Sequence, residues 1–263
     1  MNVSALPTKD TPHDTQGDPA QWQARVDLAA AHRLAVKEGL NEGIFNHFTL
    51  AVPNTDDRYY QIPFGLHWGE VTASSFMEVG FDGGLLVGEG EIERSGYCIH
   101  APMHRLSEAA ACVLHTHMPF ASALTRLKDQ RILPIGQTEL GVSMQTAYDD
   151  EYTGPAFDPG EGERLLDAIG DKSILLMANH GAVTIGRTVA EAYDRLYYLE
   201  RVAQVQMYAM WTGQPLNVLS QEVIAKTAQQ FKDSPTYYGR PNSEHHFEAL
   251  KRMLDREQPG YKD

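Results

Sequence analysis

Two short histidine motifs have the residue types and the spacing of a metal site. The first is His115-Thr116-His117, which follows the apolar run CVL and so ends a predicted buried strand. Alternate side chains of a strand point to the same side, so both imidazoles could contact one ion. Ligand sites in open α/β sheets lie at strand ends, but a single His-x-His pair is weak evidence, because two unrelated surface histidines would give the same pattern.

A third histidine stands in the same relation to another predicted strand. His180 lies between Asn179 and Gly181, directly after the apolar run SILLMA. Gly181 allows close approach of the backbone, although His180 could instead hydrogen-bond within its own turn. Three neutral imidazoles at strand ends form a site for Zn²⁺, Mn²⁺ or Fe²⁺ with open positions for a substrate.

The apolar periodicity predicts one α/β domain that positions these motifs. Residues 20–39 have helical spacing with a stop at Gly39, and VAEAYDRLYYLERVAQVQMYAM is the longest predicted helix, ended by Gly213. Two hairpins, over 46–63 and 75–91, argue against a purely parallel sheet. Further helices are predicted over 100–110, 119–127 and 161–170, and further strands over 110–117 and 173–186. The predicted domain spans 20–240, between a flexible tail over 1–19 and a C-terminal helix and tail over 241–263.

Composition limits the partners and the compartment. The chain of 263 residues carries a formal net charge of −13, which makes nucleic acid a poor partner because phosphates would be repelled. We find neither an apolar run long enough for a membrane helix nor an export pattern at the N-terminus. The cysteines, Cys98 and Cys112, are typical of a reduced protein, so we expect no membrane association and a cytoplasmic location.

Four segments together resemble the class II aldolase/adducin family. They are EGLNEGIFNHFTLAVP, FGLHWGEVTAS, HAPMHRLSEAAACVLHTHMPFA and ANHGAVTIGRTVAEAYDRLYYLE, within roughly residues 22–211. The resemblance implies a three-layer α/β/α domain around a mixed, mostly antiparallel sheet. It also implies a homotetramer with active sites between subunits, and one divalent ion, most often zinc, on His115, His117 and His180. Mn²⁺ or Fe²⁺ would suit the same ligands.

The chain departs from the aldolases of this family at their catalytic glutamate. In the aldolases this glutamate lies upstream of the His-x-His pair. The residue at the same spacing before His115 in this chain, counted without gaps, is Gly96. The predicted helix over 100–110 presents His100, His104 and Glu108 four residues apart, with Pro102 in its first turn. His100 or His104 could replace the glutamate as a proton donor or extra ligand, or both could simply pack the helix.

The loops that bind the substrate phosphate in these aldolases are also altered. Gly43, Gly65 and Ser95 remain as substrate-binding candidates, whereas His47 stands where asparagine is usual and Phe64 where threonine is usual. Aromatic residues and Arg94 in these loops favour a carboxylate or an aromatic acid over a sugar phosphate. Alternatively, Arg94 could be a solvated surface charge.

Tyr148 matches the region from which a neighbouring subunit supplies a proton-donating tyrosine in the aldolases, with Tyr152 as a competing candidate.

From the histidine motifs and the altered loops, we predict a metal-dependent lyase that acts on a small carbonyl or carboxylate substrate. Aldol cleavage and decarboxylation would both pass through a metal-stabilised enolate. The alternatives are a non-catalytic, adducin-like interaction module and a non-haem iron oxygenase of an aromatic acid.

Overall fold

The computed structural model describes residues 18–158, 160–233 and 236–263. The helices in these ranges are α1 (Pro19–Glu38), α2 (Arg94–Leu106), α3 (Pro119–Leu124), α4 (Gln137–Ser143), α5 (Gly160–Ile169), α6 (Val189–Trp211), α7 (Gln221–Asp233) and α8 (Asn242–Glu257). The strands are β1 (His47–Ala51), β2 (Arg58–Gln61), β3 (Met77–Gly80), β4 (Leu85–Val87), β5 (Cys112–Thr116), β6 (Thr146–Asp149), β7 (Ile174–Met177), β8 (Ala182–Gly186), β9 (Thr236–Tyr237) and β10 (Arg240–Pro241).

Eight strands form one open sheet in the order β4-β3-β2-β1-β5-β8-β7-β6. Every neighbouring pair is antiparallel except β6 and β7, which run parallel. Both predicted hairpins are present, as β1–β2 and β3–β4. The predicted mixed, mostly antiparallel sheet is therefore confirmed, and β1, β5 and β8 lie at its centre.

Side-chain alternation along the strands divides the core into two layers. In β5, Cys112 and Leu114 pack with α1, α6 and α8 on one face of the sheet. Val113, between them, packs on the opposite face with residues of α2 and α5. Burial of apolar surface on both faces gives the three-layer α/β/α arrangement that the family resemblance implied.

Helix α1 shows how local sequence sets an element's ends. The Asp18 side chain accepts a hydrogen bond from the Ala20 amide at 2.9 Å, and Pro19 begins the helix. Gly39 ends it in the left-handed conformation, at φ 70°. The predicted tail over 1–19 is wrong in its last two residues, which form this helix start, and residues 1–17 lie outside the described ranges.

Helix α2 corrects the helix predicted over 100–110. It begins at Arg94, where Glu93 caps the amide of Gly96, so Pro102 lies inside the helix rather than in its first turn. The missing N–H of Pro102 leaves the Cys98 carbonyl without its helical donor. Helix α5 crosses at this point, and a Cβ on Gly162 would lie 2.6 Å from that oxygen. Glu108 falls in a separate 3₁₀ turn, so it is not on the helical face with His100 and His104.

Helix α4, strand β6, the small β9–β10 pair and the packing of the C-terminus were not predicted. Helix α4 and strand β6 occupy a stretch of chain without a strong apolar pattern, and β6 carries Tyr148 at the sheet edge. At the C-terminus, Tyr261 is buried against the domain and the Ser74 amide donates to the Asp263 carbonyl at 2.9 Å. Among the described helices, we find none with the length and apolar character needed to cross a bilayer.

Candidate metal centre

The structure brings the three predicted ligand histidines together. His115 lies on β5, His117 directly after it, and His180 in the turn between β7 and β8. One ring nitrogen from each lies within 4.8 Å of the others. Two nitrogens bound to the same tetrahedral zinc ion would lie roughly 3.4 Å apart, so a small side-chain adjustment would let all three bind.

Two of the imidazoles are oriented by hydrogen bonds through Nδ1. His115 Nδ1 donates to the Ala182 carbonyl at 3.0 Å, and His117 Nδ1 donates to the Glu42 carboxylate at 2.5 Å. These bonds leave Nε2 as the unprotonated atom of each neutral ring. His117 Nε2 is buried and has no partner among the described residues. A metal ion would supply the missing partner, and bonds from the far ring nitrogen are the usual support of metal-bound histidine.

The turn that carries His180 has little freedom. Asn179 adopts a left-handed conformation at φ 56°. A Cβ on Gly181 would lie 2.5 Å from the Thr116 carbonyl oxygen and 2.7 Å from His117 Cδ2, so glycine alone fits beside the first motif. Arg126 Nη1 donates to the His180 carbonyl at 2.5 Å.

The electrostatic environment favours the neutral form of His115 and of His180. Burial, followed by the effects of His117 and Arg126, lowers the pKa of His180 to about 4. Burial and the neighbouring imidazoles also hold the pKa of His115 well below its usual value. Neutral imidazoles are the form that binds metal, so the donor set fits Zn²⁺, Mn²⁺ or Fe²⁺.

A second group of polar side chains lies behind the metal ligands. The His47 ring is 4.9 Å from the His115 ring, across the β1–β5 pair. His47 Nδ1 is 2.8 Å from His100 Nε2, and the Thr49 hydroxyl lies 2.6 Å from His100 Nδ1 and 2.7 Å from His104 Nε2. His100 and His104 are buried, and these contacts link them to the ligands through His47. The structure therefore places neither at the metal centre, where the sequence had suggested a proton donor or extra ligand.

The space around Gly96 is filled by two other side chains. A Cβ on Gly96 would lie 3.1 Å from His47 Cγ and 3.2 Å from Glu93 Oε2. Glu93 Oε2 accepts hydrogen bonds from the Gly96 amide at 2.5 Å and from Ser95 Oγ at 2.7 Å. His47 and Glu93 thus lie where the resemblance implies a glutamate side chain, and the proton of the Ser95 hydroxyl is already donated.

The predicted substrate loops surround this region. Gly43 and Gly65 have positive φ angles of 59° and 95°, so both turns favour glycine. Phe45 and Phe64 are exposed and their rings are 6.4 Å apart. Phe64 also lines a small cleft with His47 and Glu93. Aromatic surface therefore adjoins His47.

Arg94, a predicted substrate-binding residue, and Tyr148, a predicted proton donor, both make hydrogen bonds within the chain that differ from those roles. Arg94 Nη2 donates to the Phe157 carbonyl at 3.1 Å, so carboxylate binding would require this bond to break. The Tyr148 hydroxyl accepts from the Ile132 amide at 3.1 Å. Tyr152 instead lies beside the site, with its ring 6.3 Å from that of His180. The role of Tyr148 across a subunit boundary stays a prediction.

Several polar groups of the site were not predicted from the sequence. Glu42 and Arg126 contact the metal ligands, and Asn46 accepts a hydrogen bond from the His117 amide at 3.2 Å. Glu42 and Asn46 are more than sixty residues from His117 in the chain, so no local pattern links them to it. The loop over residues 41–46, which contains Asn41, Gly43 and Asn46, was the available signal, because loops often carry ligand contacts.

The comparisons agree with this fold. Residues 26–207 match the family model for the class II aldolase and adducin N-terminal domain. An aldolase II superfamily protein from Pseudomonas syringae superposes with a TM-score of 0.87 at 36% identity, covering 94% of this chain and 98% of that one. L-fuculose 1-phosphate aldolase from Glaciozyma antarctica PI12 shares the fold, with a TM-score of 0.76 at 20% identity over 98% of this chain and 97% of that one.

Adducins are similar as well. Rat alpha-adducin is 32% identical over 251 residues, which cover 90% of this chain and 34% of the adducin. The match of the family model, the mixed sheet and the position of the histidines at its strand ends all lead to one assignment. This chain belongs to the class II aldolase and adducin family.

Proposed function

We propose that this protein is a divalent-metal-dependent lyase that cleaves a carbon–carbon bond of a small carbonyl or carboxylate substrate. The observation that carries the proposal is the group of three converging imidazoles, in which the buried Nε2 of His117 has no hydrogen-bond partner among the described residues. His115, His117 and His180 would hold the ion. A bound divalent ion supplies Lewis acidity, which stabilises negative charge on the substrate oxygens during aldol cleavage or decarboxylation.

The side chains around the ligands support a substrate other than a sugar phosphate. A buried phosphate dianion needs several N–H or O–H donors. Ser95 donates its proton to Glu93, and Arg94 is bonded to the Phe157 carbonyl. The exposed rings of Phe45 and Phe64 would instead stack on an aromatic acid and exclude water from it.

The second candidate is an adducin-like interaction module, and the similarity to alpha-adducin favours it. A module without chemistry has no physical need for three converging imidazoles. It also has no need for a carboxylate on the far nitrogen of His117. These features support the lyase over the interaction module.

Elemental analysis of protein purified without chelators tests the metal site. We expect one divalent ion per chain, lost on His115→Ala and retained on His67→Ala, which replaces an exposed histidine. Unchanged metal content in His115→Ala would contradict the assignment. A screen of carboxylic acids that follows CO₂ release, aldehyde release and O₂ consumption then separates decarboxylation, aldol cleavage and oxygenation. Rapid cleavage of a sugar phosphate would refute the proposed substrate class.

We also propose that the protein is a homotetramer. The outer face of α6 exposes Val205, Tyr208 and Trp211, with 67% of the Trp211 side chain accessible in a single chain. Burial of such a face between subunits would be favourable. Light scattering should give four times the chain mass of 29.3 kDa, and a single-chain particle at micromolar concentration would contradict the proposal.

A further inference from the structure

The hydrogen-bond direction of the buried group behind the metal ligands can be worked out from one backbone carbonyl. His104 Nδ1 lies 2.7 Å from the Ala110 carbonyl oxygen, which can only accept, so this nitrogen carries a proton. We find no carboxylate in hydrogen-bond contact with His100 or His104 among the described residues, and a buried imidazolium without a counter-charge is costly. Both rings are therefore neutral, and His104 Nε2 is an acceptor.

The remaining protons follow in order. The hydroxyl of Thr49 has one proton, and His104 Nε2 at 2.7 Å is a much closer acceptor than the Val113 carbonyl at 3.5 Å. Thr49 therefore donates to His104 Nε2, and its oxygen accepts from His100 Nδ1. His100 Nε2 is then unprotonated and accepts from His47 Nδ1. All three imidazoles carry the proton on Nδ1, and their shared direction is set by the Ala110 carbonyl.

The chain of bonds ends at His47 Nε2. Ser95 Oγ, at 3.5 Å, has already donated its proton to Glu93. Glu93 Oε2 lies 3.7 Å from His47 Nε2, beyond hydrogen-bond distance, and it holds two other hydrogen bonds. Among the described residues, the one hydrogen-bond contact of His47 Nε2 is therefore with a hydroxyl whose proton is directed to Glu93, which leaves the Nε2 lone pair to accept from a ligand.

We propose that His47 is a specificity-determining residue whose Nε2 lone pair selects ligands with an O–H or N–H donor beside the metal centre. The same lone pair disfavours an anionic oxygen, whether of a phosphate or of a carboxylate, at that point. The proposal rests on the proposed function only in placing the ligand at the three imidazoles. It makes Thr49, His100 and His104 positioning residues, because they act on the ligand through His47.

Nitrogen NMR of histidine-labelled full-length protein near neutral pH reads the protonation of each ring directly. We expect His47, His100 and His104 each to show a protonated Nδ1 and an unprotonated Nε2, with or without added zinc. A proton on His47 Nε2 would overturn the proposal. This measurement needs neither metal nor substrate, so its failure is distinct from loss of metal binding, which would refute the proposed function instead.

Thr49→Val and Thr49→Ser form a matched pair. Valine removes the hydroxyl that holds the proton on His100 Nδ1, so His100 can donate through Nε2 and force the proton of His47 onto Nε2. Serine keeps the hydroxyl and should keep the original pattern. If the valine variant folds and its His47 ring is unchanged, or if serine also reverses it, the positioning roles are wrong.

Inorganic phosphate tests the selection of ligands. A donor at residue 47 should tighten phosphate binding to zinc-loaded protein by about tenfold, the effect of one charge-assisted hydrogen bond. We expect this gain in His47→Asn, whose amide can donate, and in Thr49→Val, but not in Thr49→Ser or in the exposed control His67→Asn. Equal or weaker phosphate binding by His47→Asn would overturn the proposal.

Discussion

Replacement of Glu42 by glutamine isolates the carboxylate that orients His117. The wild-type bond, at 2.5 Å, is short and charge-assisted, and glutamine keeps the size of the side chain while removing the charge. Loss of such a partner typically weakens metal binding by 10–100-fold, or about 1.4–2.7 kcal/mol. The Glu42 side chain is 55% exposed, so solvent screens its charge. We therefore expect the lower end of that range, about tenfold.

Competition with a chromophoric chelator measures the zinc affinity of each variant. Glu42→Ala should bind at least as weakly as Glu42→Gln, because alanine also leaves His117 Nδ1 without an acceptor from this side chain. Asp171→Asn provides the charge control, since Asp171 is highly exposed and lies at the opposite end of β7 from His180. Affinity within twofold of wild type for Glu42→Gln would refute the reasoning. An equal loss in Asp171→Asn would show that net charge, rather than the orientation of His117, is responsible.

Two further predictions concern stability. Burial lowers the pKa of His32 from 6.5 to about 4, so the unfolded chain binds its proton first and stability falls as the pH drops through this range. In unfolding titrations, the free energy of unfolding of the wild-type protein should fall between neutral pH and pH ~5, and about 2 kcal/mol of this fall should be absent in His32→Phe. Equal pH dependence of the two proteins would contradict this prediction. Gly181→Ala should cost about 1–3 kcal/mol of unfolding free energy, because its Cβ would overlap the Thr116 carbonyl. It should also abolish zinc binding, and a variant with wild-type stability and affinity would show that the turn can relax.

Features encoded locally were predictable from the sequence. Gly39 marks the end of α1 because few other residues adopt the left-handed conformation found there. The alternation in His115-Thr116-His117 and the turn at Gly181 predicted that the three imidazoles lie at strand ends. The structure brings their ring nitrogens together there. In both cases a few neighbouring residues carry the whole signal.

Features that depend on distant pairing were not predictable. Strand β6 has only four residues, and it forms a strand because it pairs with β7 at the sheet edge. The contact of His47 with His115 depends on the register between β1 and β5, which no residue near either histidine determines. The same holds for Glu42, whose contact with His117 arises only after the sheet has assembled.

The two histidine motifs are separated by roughly sixty residues of chain, yet they meet beside β5 and β8. An ion bound to both would act as a cross-link that closes this long segment, which contains α3, α4, β6, α5 and β7. Opening of this segment would separate the imidazoles and release the ion, so binding stabilises the closed arrangement by mass action. Amide hydrogen exchange in β6, an edge strand, should then slow when the ion binds, although β6 contributes none of the three imidazoles.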